Sequence, residues 1–178
     1  MNLRIAPVHK FREASMSRTY RAAAALAACC VVPLLFAGGL AHADNPAPYP
    51  GTLTVKSAYG FGETVTRLEQ SVEANKMGLV AKASASAGAA GRGVKIAGNT
   101  VLMVFRNDYA VRMLAASVPA GIEAPIRIYV TEEADGKTSV TYRTPSALFA
   151  PYGNAHLDAM ARELDPVFDK IVRDALVK

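Results

Sequence analysis

Cysteine, histidine and tryptophan are scarce in this chain of 178 residues, and their scarcity excludes several kinds of site. The two cysteines, Cys29 and Cys30, lie in an apolar N-terminal run, and tryptophan is absent. Beyond residue 43 the only histidine is His156. The sequence after residue 43 therefore offers no disulfide, no Cys-ligated metal and no His-rich metal site. Its stability has to come from packing, for which a domain of this length is sufficient.

Residues 1–43 are predicted to be a secretion signal. Basic residues precede an uncharged, apolar run over residues 22–40, and Ala41-His42-Ala43 then forms an A-x-A cleavage site in front of Asp44. This order of a positive, an apolar and a small-residue segment is typical of exported bacterial proteins. The sequence therefore predicts a periplasmic or secreted protein after cleavage near Ala43.

Three further features of the N-terminal segment bear on this prediction. Met16 is a second candidate for the true start, because a signal counted from Met16 to Ala43 has 28 residues and falls within the usual length. An uncleaved N-terminal anchor is one alternative to cleavage, since a run of about 20 apolar residues can span a bilayer. A lipoprotein attached at Cys29 is the other, because Leu26-Ala27-Ala28-Cys29 resembles a lipoprotein box.

The charge of the exported part argues against a nucleic-acid partner. Of 20 basic and 15 acidic residues, five and one respectively precede Asp44, which leaves 15 basic and 14 acidic residues. A nearly neutral, exported domain lacks the electrostatic basis of nucleic-acid binding. Residues 44–51 contain three prolines and are predicted to form an extended tether. Residues 52–178 are predicted to be a single domain, with no stable membrane insertion after signal removal.

Hydrophobic periodicity predicts an α+β fold. Strands are predicted at 52–58, 79–86, 101–105, 126–131 and 138–143, and helices at 62–77, at 108–117 and over a long C-terminal segment. This order corresponds to a two-layer, mostly antiparallel sheet with helices on one face, in a β-α-β4-α topology with a small helix inserted after the third strand. Residues 87–98, rich in Gly and Ala, are predicted as either a loop or a weak helical turn.

Several local signals give sharper expectations. Gly78 is expected to end the first helix in a left-handed conformation, and Asn107 to cap the short helix. The continuous apolar run Val101–Phe105 predicts a strand buried on both faces. Asp135-Gly136 predicts a hairpin turn. Pro166 is expected to kink or restart the last helix, with Asp165 as a fresh cap.

The order of these segments resembles the family called domain of unknown function 302, from about Val55 to Leu176. The matching motifs are the strand Val101–Phe105 followed by Asn107, then Pro125-Ile126-Arg127-Ile128-Tyr129-Val130, Asp135-Gly136, Thr141-Tyr142-Arg143-Thr144-Pro145 and Leu148. The resemblance implies a fold similar to one half of the TATA-binding protein, with an open sheet face, and a tendency to form homodimers.

The chain departs from the family pattern at two places. Arg106-Asn107-Asp108 stands where many members have Gly-Asn-Pro, and Ala85-Ser86 stands where an Asp-His pair is common. Any metal binding or acid–base chemistry that relies on that pair in relatives is therefore not expected here.

No residue constellation after the signal predicts a particular reaction. His156 stands alone near the start of the last helix, where a histidine is usually solvated. The serines lie in no recognisable nucleophile motif. The glycine-rich stretch 87–93 lacks the Lys-Ser/Thr ending of a P-loop and is predicted to be a loop of small residues. No cofactor and no metal are expected.

The second face of the sheet is the most informative feature. Strict alternation turns the apolar residues Leu53, Val55, Ile126, Ile128, Val130, Val140 and Tyr142 towards the helices. It places the following residues on the opposite face: Lys56, Arg127, Tyr129, Thr131, Ser139, Thr141 and Arg143. This face is predicted to be either an ordinary solvated surface, a dimer interface, or a site for an anionic or amphiphilic ligand, because Arg and Tyr are enriched where proteins recognise partners.

Five residues of that face are the candidate ligand or interface residues: Lys56, Arg127, Tyr129, Thr141 and Arg143. The sequence favours an exported binding or interaction module over an enzyme. One alternative is a small cofactor-independent enzyme that uses carboxylate, Tyr and Arg groups. Another is an envelope protein that acts only through protein contacts.

Overall fold

A computed structural model describes residues 49–176 of the chain. The predicted signal, its cleavage site and residues 44–48 of the predicted tether lie outside the described residues. The strands are β1 (Thr52–Ser57), β2 (Gly78–Ala83), β3 (Asn99–Phe105), β4 (Ile126–Glu132) and β5 (Thr138–Arg143). The helices are α1 (Phe61–Ala74), α2 (Ala85–Ala90), α3 (Asn107–Ala116), α4 (Pro145–Phe149) and α5 (Ala155–Leu176). Short 3-10 helices span Val118–Glu123 and Ala150–Tyr152.

The five strands form one antiparallel sheet in the order β1-β5-β4-β3-β2. In β4, Ile126, Ile128 and Val130 are buried while Arg127 and Tyr129 between them are exposed. The helices therefore cover one face only, which confirms the predicted α+β architecture. The β4–β5 connection turns at Gly136, whose φ of +79° is the left-handed conformation expected from the Asp-Gly signal.

Two long helices build the covered layer. The predicted apolar stripe of α1 (Val65, Leu68, Val72) is buried, as is the complete predicted stripe of α5: Leu157, Met160, Ala161, Leu164, Phe168, Ile171, Val172 and Ala175. The Phe168 ring lies 6.5 Å from the Tyr142 ring of β5. A side-chain hydrogen bond also joins α1 to the backbone of α5: Ser71 Oγ donates to the Ile171 carbonyl at 2.8 Å.

Helix α5 runs without interruption through Pro166, so the predicted restart is wrong. Asp165 does not cap a second helix. Its Oδ1 accepts a hydrogen bond from the Ser146 backbone N–H at 2.8 Å, at the start of α4. The proline is exposed on the outer side of α5, where its ring meets solvent instead of the sheet. The helix α4 itself was not predicted from the sequence.

The strand β3 is buried on one face only, contrary to the prediction. Thr100, Leu102 and Val104 face the helices and are buried, whereas the alternating residues Val101 and Met103 are only half-buried. The apolar run had suggested full cover on both sides, but Val101 and Met103 on the second side keep part of their surface exposed. Apolar side chains therefore extend across an open sheet face.

The edge strand β1 shows a second difference from the prediction. Leu53 and Val55 point to the helix side, opposite Tyr142 and Val140, as expected. They nevertheless stay 43% and 38% exposed. The helical layer is narrower than the sheet and leaves this edge uncovered.

Helix ends also differ in detail from the sequence signals. The left-handed residue after α1 is Lys76, with φ +57°, and not Gly78, which already belongs to β2. Asn107 is the first residue of α3, and Arg106 occupies the N-cap position without a side-chain cap. The Gly/Ala-rich stretch begins with the short helix α2, capped by Ser84 Oγ, which accepts from the Ala87 N–H at 3.1 Å. Within residues 49–176 no helix is both long and apolar enough to cross a membrane.

Candidate functional site

The uncovered side of the sheet, which we call the open face, is the candidate site. Its side chains follow from the strand register: each residue alternates with a neighbour buried against the helices. From β1 to β2 the open face carries Thr52, Thr54, Lys56, Ser139, Thr141, Arg143, Arg127, Tyr129, Thr131, Asn99, Val101, Met103, Ala81 and Ala83. The register thus puts all five predicted candidate residues on one side of the sheet.

A groove of about 480 Å³ runs over the β1–β5–β4 part of the open face. Arg127, Tyr129, Thr141 and Arg143 line it, together with Thr52, Thr54, Thr131, Val101, Tyr49, Glu123, Ile126, Tyr142 and Leu148. We call this groove the cationic half of the open face. Its volume is in the range of sites that bind small organic molecules.

Two guanidinium groups share the cationic half. Ile128 of β4 pairs with Tyr142 of β5 in an antiparallel register. Arg127 precedes Ile128 and Arg143 follows Tyr142, so the two arginines lie side by side on adjacent strands. Like charges in such positions destabilise a sheet unless other groups compensate. Among the described residues no acidic group forms a salt bridge with either arginine.

Arg143 is partly held by the protein. Its Nη2 donates to the Ala147 carbonyl at 3.0 Å, and its guanidinium carbon lies 5.2 Å from the centre of the Tyr49 ring. Its Nε is buried and has no hydrogen-bond partner within the described part of the chain. Arg127 is exposed and makes no hydrogen bond to another residue in the range 49–176. One arginine is therefore positioned, and the other can still move to meet a ligand.

Hydroxyl and aromatic groups surround the two arginines. Thr54 and Thr141, directly opposite each other, share a hydrogen bond of 2.9 Å between their hydroxyl oxygens. Tyr129, opposite Thr141 on β4, is 42% exposed. The groove therefore combines cations, hydroxyl groups and an aromatic surface, a combination suited to recognising a negatively charged organic molecule.

Lys56 is on the open face but not in the groove. Its Nζ forms an ion pair with Glu133 of the β4–β5 turn. Ser139 Oγ also donates to Glu133, at 2.5 Å, and is buried. The bonds from Lys56 and then from Ser139 lower the pKa of the Glu133 carboxyl group. The structure thus gathers Arg127, Tyr129, Thr141 and Arg143 in one groove, whereas the charge of Lys56 is neutralised at the other end of β1.

Two groove residues had no signal in the sequence. Tyr49 belongs to the proline-rich segment predicted as a tether, yet its ring reaches Arg143. Glu123 ends the 3-10 helix Val118–Glu123, and its Oε1 accepts from the Tyr152 hydroxyl at 3.1 Å. Partial desolvation and this hydrogen bond raise the pKa of Tyr152. Only the fold brings these side chains into the groove, because each lies outside the strands, before β1 or before β4.

Other features of the described residues are weaker candidates. His156 lies beside Arg112 in a shallow surface depression formed by α3 and α5, away from the open face. A cavity lined by Met77, Met113 and Met160, among others, has a volume of only about 30 Å³. Within residues 49–176 no group of three or more His, Cys, Asp or Glu side chains is placed to hold a metal ion.

Comparison with known proteins identifies relatives of the same fold. A family model described as "Domain of unknown function DUF302" matches residues 53–175. A crystal structure of an uncharacterized conserved DUF302 protein from Bacillus stearothermophilus is similar, with a TM-score of 0.64 and 21% identity over 71% of this chain and 98% of that chain. No curated protein matches the chain. At this level of identity the structural match establishes the fold alone.

Proposed function

This chain belongs to the DUF302 family, and on that premise we propose that its domain is a binding module whose open face takes an anionic organic ligand. The observation that carries the proposal is the pair of neighbouring arginines in one groove. Arg127 has no partner among residues 49–176, and Arg143 bonds only a backbone carbonyl. Two adjacent guanidinium groups that form no salt bridge with a carboxylate among residues 49–176 favour an anion between them.

The geometry of arginine supports this choice of ligand. A guanidinium group presents several N–H donors in a plane and can bind a carboxylate or phosphate with two parallel hydrogen bonds. Arg143 is already oriented by Ala147 and Tyr49, so less side-chain entropy is lost when a ligand binds. Glu123 also lines the groove, and its carboxylate would repel a second negative charge, which favours a ligand with a single anionic group.

An enzyme is the less favoured function for the same groove. Among the described residues that line the groove, Glu123 alone has a carboxylate, and that carboxylate already accepts a hydrogen bond from Tyr152. The threonine hydroxyls Thr54 and Thr141 bond each other and have no adjacent general base. Saturable binding without conversion of the ligand would be the result expected of a binding module.

The exposed edge of the sheet supports protein contacts as a second candidate function. Among residues 49–176 no strand pairs with the outer side of β1, and its Leu53 and Val55 are partly exposed. An unpaired edge strand is a template for pairing with another chain. A homodimer formed through β1 would leave the groove accessible on each copy, so this candidate is compatible with ligand binding.

We also propose that the domain acts in the periplasm or outside the cell. The support is the signal-like order of residues 1–43, with the Ala41-His42-Ala43 site. A periplasmic or secreted domain meets anionic metabolites and lipids but little nucleic acid, in keeping with the nearly neutral charge of the chain after residue 43.

The test is a titration of the domain with a short carboxylate, butanoate, followed by NMR shifts of backbone amides. We expect the shifts to concentrate in β4 and β5. Arg127→Ala should weaken binding about tenfold or more, since a hydrogen bond to a charged group contributes about 1.5–3 kcal/mol. Arg162→Ala removes an equal charge from the exposed side of α5 and should leave binding unchanged. Shifts confined to other regions, or equal effects of both variants, would refute the proposal.

A further inference from the structure

The open face continues beyond the cationic half. Tyr129 pairs with Val101 of β3, and Val101 pairs with Ala83 of β2. A second hollow of about 570 Å³ lies there, and Tyr129 and Val101 line both hollows. The two hollows therefore adjoin along one row of side chains that crosses the sheet.

The second hollow is made mainly of small and apolar side chains. Ala83, Ala85 and Val101 line it with the Tyr129 ring, Ser84 and Asn99. We call this region the small-residue half. Within the described part of the chain its lining has no charged side chain, in contrast to the cationic half with Arg127 and Arg143.

The polar side chains of Ser84 and Asn99 in the small-residue half are already hydrogen-bonded. Asn99 Oδ1 accepts from the backbone N–H groups of Ala85 at 3.0 Å and Ser86 at 3.3 Å. Asn99 Nδ2 donates to the Ala97 carbonyl at 3.0 Å. Ser84 Oγ donates to the Asn99 carbonyl at 2.6 Å. A polar group of a ligand would gain little here, whereas an apolar group would cover apolar surface without leaving donors or acceptors unpaired.

The dimensions suit an extended molecule. From β5, which carries Arg143, to β2, which carries Ala83, the sheet spans three strand spacings, or about 14 Å. The half-buried Val101 and Met103 of β3 form the surface between these two ends. A small anion alone would leave this apolar surface exposed to water.

We propose that the ligand of the open face is an anionic amphiphile with one carboxylate or phosphate head group and an alkyl chain. The head group lies between Arg127 and Arg143. The alkyl chain of the ligand crosses the Tyr129 ring and lies on Val101 and Ala83. This inference rests on the proposed binding function and adds the chemical class of the ligand.

The test is calorimetric titration with a series of straight-chain carboxylates, butanoate, hexanoate, octanoate and decanoate, below their micelle-forming concentrations. An alkyl chain that is buried on one side only gains about half the free energy of transfer from water that a fully buried alkyl chain gains. We therefore expect Kd to fall by about twofold for each added methylene. Octyl phosphate should bind in the same way as its carboxylate counterpart if the arginines recognise either head group.

A matched pair of variants tests where the alkyl chain of the ligand lies. Ala83→Glu places a carboxylate in its path at an exposed position, and Ala90→Glu adds the same charge to the exposed side of α2 outside the hollow. We expect Ala83→Glu to abolish the dependence on chain length while butanoate binding persists, and Ala90→Glu to preserve that dependence.

The outcomes separate the two proposals. Absence of binding for every member of the series, butanoate included, would overturn the proposed function and this inference with it. Equal Kd values for all chain lengths would overturn the amphiphile alone and leave the anion site standing. A dimer that dissociates on Ala83→Glu substitution would assign the small-residue half to a second copy of the chain and also overturn the inference.

Discussion

Gly51 shows how a single residue fixes the entry of the chain into the sheet. Its φ is +72°, and a Cβ added there would overlap the Cβ of Ala147 and approach Thr144 Oγ1 to 3.0 Å. The Gly51 carbonyl accepts from the Thr144 N–H at 2.9 Å. The start of β1 is therefore pressed against the start of α4, and the same contact places Tyr49 beside Arg143 in the groove.

We predict that Gly51→Ala destabilises the domain by about 3 kcal/mol, because a left-handed conformation and a steric overlap act together. Gly136→Ala is the matched control: its φ is +79° but a Cβ there would meet no atom within 4 Å. It should cost only about 1 kcal/mol. Urea denaturation followed by circular dichroism measures both. Equal losses in the two variants would show that the contact with Ala147 contributes nothing.

At the scale of elements, an ion pair joins the inserted helix α3 to α5. Arg112 donates through Nη1 and Nη2 to the two carboxylate oxygens of Glu163, at 2.7 and 2.8 Å. The hydrogen bonds from Arg112 lower the pKa of the Glu163 carboxyl group. Both side chains remain about half exposed, so the pair should position α3 more than it stabilises the fold.

The pH dependence of this pair has a definite sign. Because the pKa of Glu163 is lower in the folded state, its contribution is complete above the unfolded pKa of about 4.3 and is lost as the pH falls through the folded value. We expect Glu163→Gln to be less stable than the wild type at pH about 7 and equal to it at pH about 2. Urea denaturation at both pH values tests this. Glu73→Gln controls for loss of an exposed carboxylate on α1, and an equal effect of both variants would contradict the prediction.

The elements also show which parts of the fold could be predicted from sequence. The stripe of α5 was predicted residue by residue, since a long helix on a sheet repeats one pattern over many turns. Burial of β3 on both faces was wrongly predicted, because an apolar run looks the same whether its second face is covered by protein or left partly exposed. The exposure of Leu53 and Val55 depends on the width of the helical layer, which no local pattern encodes.

At the scale of the molecule, the candidate site depends on register and on distant segments. Alternation along β4 and β5 was enough to place Arg127, Tyr129, Thr141 and Arg143 on one face. Alternation alone could not show that Lys56 lies apart from these four residues. That difference depends on the β4–β5 turn, which brings Glu133 to the Lys56 Nζ. Tyr49 joins the groove only through the contact of Gly51 with α4. The sequence therefore predicted the face, and the tertiary structure selected the groove within it.

The proposed export would limit which ligands the whole molecule can meet, and it rests on the signal-like sequence of residues 1–43. We predict that the chain recovered from its own cell envelope begins at Asp44. Ala43→Leu should accumulate uncleaved precursor, because the cleavage site requires a small residue there. Cys29→Ala should be processed normally.

Mass spectrometry of the intact protein and of its N-terminal peptide, on each of the three proteins, measures these results. A wild-type chain that retains Arg21 would establish a membrane anchor, and a chain that begins at Cys29 with added lipid mass would establish a lipoprotein. Either would tether the open face close to a bilayer, where an anionic amphiphile is a component of the membrane itself. Cleavage before Asp44 instead releases the domain, so that it would have to extract or carry such a ligand through water. On the proposed function, the position of the first residue would therefore decide whether the groove meets its ligand at a membrane surface or carries it through water.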